Sequence, residues 1–149
     1  MQLIETTGTD TRFVALCNEL DADLNEQNGE AFQEIYNQYN TLEKIHDVVL
    51  ALQNDTPVAC AAIKEYAPDT AEIKRVFTKP VCRGQGVAAA VISALEQRAK
   101  QQGYTRLILE TGITMFPAQR LYQRLGFRQI PNYGEYAGLS GSYCMEKAI

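Results

Sequence analysis

Apolar residues recur along this chain with two different periods, and the switches between them mark the elements. Residues 2–6 (Gln-Leu-Ile-Glu-Thr) fit a short first strand. Thr9-Asp10 offers an N-cap, and Phe13, Leu16, Cys17, Leu20 and Leu24 fall at helical spacing, which predicts a helix to about residue 24. The polar run Asn25-Glu26-Gln27-Asn28-Gly29 reads as a turn, and Phe32, Ile35, Tyr36 and Tyr39 predict a short second helix over 30–38. The period then changes. Asp47 to Leu52 reads as a strand, Asn54-Asp55-Thr56-Pro57 as a hairpin turn, and Val58 to Tyr66 as the returning strand. Pro68-Asp69 turns the chain into a strand over 71–78 in which charged and apolar residues alternate.

The second half alternates strand with helix. Val87, Val91, Leu95 and Ala99 predict a long helix over 86–102, with Gly103 placed as its C-terminal cap. Arg106 to Glu110 reads as a strand, and a second crossover helix is predicted over 116–125, with Pro117 tolerated in its first turn. Phe127–Ile130 and Tyr143–Glu146 close the pattern as strands on either side of a loop rich in Gly and Tyr. Antiparallel strands early and βαβ units later imply an α/β chain built on a mixed sheet with helices on both faces. With 149 residues and no repeat or linker, a single domain over 1–149 is expected.

Composition narrows the function classes. Apolar residues make up 46% and charged residues 21%, the balance of an ordinary globular protein. No apolar run is long enough to span a bilayer and no basic-then-apolar leader opens the chain, so cytoplasmic residence without membrane association is expected. With 18 acidic against 14 basic residues, nucleic acid is not an expected partner, whereas a cationic amine is tolerated. Cys17, Cys60, Cys82 and Cys144 are scattered without a C-x-x-C pair, so reduced structural thiols and no metal are expected. Lone His46, beside a strand start, reads as a turn or surface residue.

The chemistry concentrates in Lys79-Pro80-Val81-Cys82-Arg83-Gly84-Gln85-Gly86-Val87-Ala88, directly ahead of the long helix. A helix start leaves backbone N–H groups without partners and carries partial positive charge. Glycines let an anion approach those groups, and an arginine adds a fixed forked donor. The loop therefore reads as a phosphate or diphosphate site. It is not a Walker P-loop, because no Gly-Lys-Ser/Thr follows. Gly84, Gly86 and Ala89 do fit the dinucleotide pattern G-x-G-x-x-A, with Glu110 ending a strand at about the expected ~20-residue distance. Against a dinucleotide-binding domain stand the segment Thr78–Cys82 between strand and glycines and the charges within the strand itself.

Arg83-x-x-Gly86-x-Ala88, following Val76-Phe77-Thr78, resembles the pyrophosphate loop of the GCN5-related N-acetyltransferases. Ala118-x-x-Leu121-Tyr122-x-x-Leu125-Gly126-Phe127 resembles that family's other signature, in the right order. The resemblance covers residues 47 to 147. It implies the acyl-CoA N-acyltransferase fold, acetyl-CoA as co-substrate, a small amine acceptor, and a homodimer as the expected assembly. It places the coenzyme diphosphate on Arg83, Gly84, Gln85, Gly86, Val87 and Ala88, and the pantetheine arm along Val76, Phe77 and Thr78.

The same resemblance makes Tyr122 the general acid, since a phenol with pKa near ~10 keeps a proton for a departing thiolate; helical spacing with Ala118 and Leu125 leaves a core-packing role open. An alkyl ammonium with pKa near ~10.4 must lose its proton first, which calls for a base worth about 4–5 kcal/mol at neutral pH. Glu72 is the first candidate, ahead of Glu110 and Glu65; a cross-strand ion pair is the alternative role for Glu72, and a water relay would replace a dedicated base. Met115 stands where many relatives carry a coenzyme-contacting asparagine, so Gln119 is the candidate substitute. On the acceptor side stand Asp21, Asp23 and Asn28 from one polar segment, Tyr133 and Tyr136 from another, and Glu110 and Thr111 at a strand end. Acetyl transfer to a small-molecule or amino-acid-like amine is the reading; a non-catalytic acyl-CoA-binding module or a dinucleotide-binding domain are its alternatives.

Overall fold

Residues 1–28 and 45–149 are described by a computed structural model. The predicted helix over 30–38 lies outside them, as do the side chains of Gln27 and Asn28. The strands are β1 (Gln2–Thr6), β2 (Asp47–Gln53), β3 (Thr56–Ala67), β4 (Thr70–Thr78), β5 (Arg106–Gly112), β6 (Arg128–Ile130) and β7 (Ser142–Ala148). The described helices are α1 (Thr11–Asn28), α2 (Val87–Gln101) and α3 (Phe116–Arg124). Hydrogen bonding orders the strands β1-β2-β3-β4-β5-β7-β6 in a seven-stranded mixed sheet. The chain divides into two units, Met1–Lys64 with Lys74–Leu95, and Glu65–Ile73 with Glu96–Ile149.

In the first unit β1, β2 and β3 form an antiparallel meander. Its hairpin turns at Asn54 and Asp55, whose φ values of 50° and 64° are the left-handed pair that a two-residue turn between right-twisted strands requires. Val48, Leu50, Leu52, Cys60 and Ala62 join Phe13, Leu16, Cys17 and Leu20 of α1 in one apolar cluster. The alternate residues Val49, Ala51, Ala59 and Ala61 are equally buried on the opposite face. This is why β2 reads as a continuous apolar run.

α1 begins at the predicted cap, where Asp10 Oδ1 accepts the Arg12 backbone N–H at 2.9 Å. It ends four residues later than the sequence pattern suggests, so Asn25–Asn28 are helical and not a turn. Their polarity imitates a turn, yet no helix breaker occurs before Gly29, and Glu and Gln are good helix formers on an open face.

In the second unit β5 pairs antiparallel with β7 from Arg106–Ala148 to Gly112–Ser142, which carries the strand through Thr111 and Gly112, beyond the predicted end at Glu110. β6 pairs with the other edge of β7. The parallel ladder between β4 and β5 takes in Thr70–Arg106, Ala71–Leu107 and Glu72–Ile108. Residues Glu72, Lys74 and Arg75 were expected to alternate with apolar positions on a charged strand; all three are buried. Both faces of β4 are covered, so its charged residues are buried along with the apolar ones, and Arg75 takes φ 59° within the strand.

Candidate active site

The glycine loop belongs to the first unit. β4 leads into a short 3-10 turn at Pro80–Cys82, then Arg83, and α2 starts at Val87. Gly84 and Gly86 take φ values of 78° and 79°, and a Cβ built on either would meet nothing within 4 Å among the described residues. The glycines therefore serve backbone conformation, and the space above them is open among those residues. Gly86 C=O accepts the Ala90 N–H at 3.1 Å, so the N–H groups at the helix start face this loop without intrahelical partners. The loop fits a diphosphate: open space, left-handed glycines and a helix start coincide.

Arg83 is held, not free-swinging. Its Nε donates to Thr78 C=O at 2.9 Å, its guanidinium lies 5.8 Å from the Phe77 ring centre, and Nη2 approaches Asp23 Oδ2 at 3.4 Å. Phe77 is buried in the α1 cluster and Val87 is buried, so these two residues can offer a ligand only backbone groups. Val76 is half-buried and Thr78 buried, while Gln85 is exposed and Ala88 half-buried. Asp21 pairs with a residue that sequence reasoning passed over. Its Oδ1 lies 2.9 Å from Nη1 of Arg75, which is buried and donates from Nη2 to Cys17 C=O at 3.1 Å. Arg75 Nε has no hydrogen bond and Nη1 meets Asp21 off the hydrogen-bonding direction. Asn28 is the last residue of α1, and its side chain lies outside the described residues.

The second unit carries the carboxylates. Glu72 is the Cα partner of Ile108, Glu110 lies two residues further along β5, and Cys144 is the partner of Glu110. Strand periodicity puts all of them on one face. Tyr133 and Tyr136 come from the loop between β6 and β7. Tyr133 Oη donates to Glu72 Oε2 at 2.6 Å, and Ser142 Oγ donates to Glu110 Oε2 at 2.8 Å. Tyr133 packs edge-on against Tyr66 and Tyr136, with ring centres 5.3 and 5.6 Å away. Burial, then the charges of Glu72 and Glu110, push the Tyr136 phenol above its ordinary value. Burial first and Glu72 second do the same for Tyr133. The Cys144 thiol is pushed up to about 11, mainly by burial. These groups all stay protonated near neutrality beside the carboxylates.

Tyr122 is buried on α3, edge-on to Phe127 at 5.9 Å, and its phenol is raised by burial and then by Glu110. Gln119 is buried, and its amide nitrogen donates to the Gly112 and Ile113 carbonyls at 2.8 and 3.1 Å, where it ties down the turn into α3. Met115 packs on Gly112, where an added Cβ would lie 3.0 Å from Met115 Cγ. Thr111 is buried on the face opposite Glu110, with its hydroxyl 3.9 Å from Met115 Sδ. Glu65 is exposed and accepts from Tyr104 Oη at 3.4 Å.

Glu72, Glu110, Tyr133 and Tyr136 are thus gathered in the second unit, with Tyr122 near Glu110. Glu72 accepts from the Tyr133 phenol. Sequence reasoning missed Tyr66, Ser142 and Cys144. Strand register reveals Cys144, which stands opposite Glu110, whereas Ser142, opposite Gly112, is found only through its hydrogen bond to Glu110.

The chain belongs to the GNAT acetyltransferase family, whose model, described as Acetyltransferase (GNAT) family, matches residues 13–127. It is similar to the uncharacterised N-acetyltransferase YsnE of Bacillus subtilis, 33% identical over 101 residues, which cover 66% of this chain and 67% of that one. It is also 32% identical over 105 residues to the IAA acetyltransferase of Azospirillum brasilense, covering 68% and 67% of the two chains. The match spans 56% of the length of a third relative, an uncharacterised N-acetyltransferase of Schizosaccharomyces pombe. Among solved structures, a Klebsiella pneumoniae protein provisionally assigned as an acyl-CoA N-acyltransferase superposes with TM-score 0.81 at 28% identity, covering 99% of this chain and 96% of that one. A GNAT family acetyltransferase from Elizabethkingia anophelis with acetyl-CoA bound gives TM-score 0.65 at 21% identity over 78% of this chain and 83% of that one, a likeness of fold.

Proposed function

We propose that this chain transfers an acetyl group from acetyl-CoA to the primary amine of a small-molecule or amino-acid-like acceptor, by direct attack in a ternary complex. The observation that carries the coenzyme half is the pair of left-handed glycines ahead of α2, which offers backbone N–H groups and open space to a diphosphate. Arg83 braces that turn through Thr78 and Phe77 and adds positive charge. Arg83→Ala weakens acetyl-CoA binding by about 10-fold or more, the scale of one hydrogen bond to a charged group. An unchanged dissociation constant removes Arg83 from the site.

Acetyl-CoA supplies an activated acyl thioester; the chain's residues bind, orient and move protons. Glu72 takes a proton from the acceptor ammonium. Tyr122 holds its proton across the neutral range and gives it to the leaving sulfur, whose own basicity rises when water is stripped away. Tyr122→Phe lowers kcat by roughly 100-fold with coenzyme affinity kept; full turnover excludes the phenol from the mechanism.

Thiol release with acetyl-CoA, screened over alkyl amines, amino acids, polyamines, aminoglycosides and short peptides, tests the whole reading when mass spectrometry identifies the acetylated product. Acetyl-CoA binding without thiol release from any amine would leave a non-catalytic acyl-CoA-binding module.

A further inference from the structure

The Tyr133–Glu72 contact has more structure around it than acceptor binding needs. Glu72 is 4% exposed, and the donor to its Oε2 is a neutral phenol at 2.6 Å. The Tyr133 ring is fixed from two sides, by Tyr66 at an interplanar angle of 81° and by Tyr136 at 88°. The loop is braced at the next residue as well. Gly134 takes φ 51°, and a Cβ there would come within 3.3 Å of Tyr66 Oη. Three rings from β3 and the β6–β7 loop therefore aim a single hydroxyl.

A hydrogen bond donated to a carboxylate favours its ionised form, whereas burial disfavours it. We propose that Tyr133 is a positioning residue, whose hydroxyl keeps Glu72 ionised and in a fixed plane so that the other oxygen, Oε1, takes the acceptor's proton. This rests on Glu72 being the base in the function proposed above. Oε1 takes one proton from the acceptor ammonium; the neutral amine nitrogen then bonds to the acyl carbon as the carbon–sulfur bond breaks, Tyr122 protonates the departing sulfur and recovers the proton that nitrogen sheds, and Tyr133 keeps its own proton throughout. Burial and the Glu72 charge raise the phenol, which makes it a donor only.

The groups that face this pair come from every neighbouring element. Tyr66 stands on β3, the buried Lys74 two residues along β4, Glu110 on β5, Cys144 on β7, and Glu135 and Tyr136 on the loop. Tyr133, Tyr136 and Cys144 are raised and stay neutral through the acid range, and the Glu72→Gln and Glu110→Gln variants assign the acid limb between the carboxylates.

The test compares wild type, Tyr133→Phe, Glu72→Gln and Glu110→Gln by the pH dependence of kcat/KM with the best amine from the screen. Phe keeps the ring packing, so a thermal midpoint close to wild type is expected. The acid limb moves up by about one to two pH units in Tyr133→Phe, because one hydrogen bond to a charged group is lost. It disappears in Glu72→Gln and survives in Glu110→Gln. An acid limb at the wild-type pH in Tyr133→Phe overturns the proposal, whatever the loss of rate.

Carboxyl-carbon NMR gives the same answer without turnover. The Glu72 signal, identified by its absence in Glu72→Gln, titrates at higher pH in Tyr133→Phe; equal midpoints overturn the proposal. Should Tyr133→Phe fail to fold, the chemical shift of the Tyr133 hydroxyl-bearing ring carbon at neutral pH is compared in wild type and Glu72→Gln, where loss of the carboxylate acceptor should move it, and an unmoved signal overturns the pairing. Absence of any amine substrate would sink the transferase reading while leaving this NMR result to decide the positioning role.

Discussion

Asp10 shows how one side chain serves both a helix and a charge. Its Oδ1 caps α1 through the Arg12 N–H, and both carboxylate oxygens accept from the Arg12 guanidinium, at 3.0 and 2.8 Å. Hydrogen bonding to Arg12 holds this carboxyl below the usual range. A depressed folded value stabilises fully above the unfolded pKa of about 3.9, and the contribution fades as pH falls toward the folded one. Asp10→Ala accordingly costs about 1–2 kcal/mol at neutral pH by urea denaturation. The gap from wild type narrows as the pH drops below ~4; a gap independent of pH would show that the charge contributes nothing. Gly84 and Gly86 obey a different constraint, since their surroundings are empty and only φ resists a side chain. Gly86→Ala costs roughly 1–2 kcal/mol of backbone strain without any clash.

Among the elements, β4 separates what sequence could tell from what it could not. Its span was readable, and so was the phosphate loop behind it, because glycine, arginine and a helix start each have a local physical cause. Its burial was not readable. Glu72, Lys74 and Arg75 resemble a solvated face, yet both faces of β4 are covered and all three are buried. Nothing in the local sequence announces an arginine that reaches across to Cys17 and Asp21. The same holds for the β6–β7 loop, whose Gly- and Tyr-rich composition suggests solvent although Tyr136 is 2% exposed. The end of α1 was misplaced because polar residues without a breaker serve helix and turn alike. Tying Arg75 to α1 makes Asp21 a structural group. Asp21→Ala destabilises the fold by about 1–2 kcal/mol, less than for a fully buried pair because Asp21 is 42% exposed. Denaturation checks the cost, and acetyl-CoA affinity should stay within twofold.

At the scale of the molecule, family membership and fold agree. The first unit carries the glycine loop proposed for the coenzyme diphosphate, and the second carries a cluster of carboxylates and of phenols raised by burial. A ligand bound at 100 times its dissociation constant stabilises a fold by about 2.7 kcal/mol, which corresponds to a rise in melting temperature of roughly 5–10 °C for a chain this size. The central claim is narrower than that, since it concerns which part of the coenzyme is gripped. Calorimetric titration with acetyl-CoA and with acetyl-pantetheine, which keeps the thioester arm and lacks the 3′-phospho-ADP portion, tests it when repeated in Arg83→Ala. Acetyl-CoA should bind at least ~100-fold more tightly to the wild-type chain, a gap of about 2.7 kcal/mol, and that gap should shrink in Arg83→Ala. Equal affinity for the two ligands would contradict the diphosphate site ahead of α2.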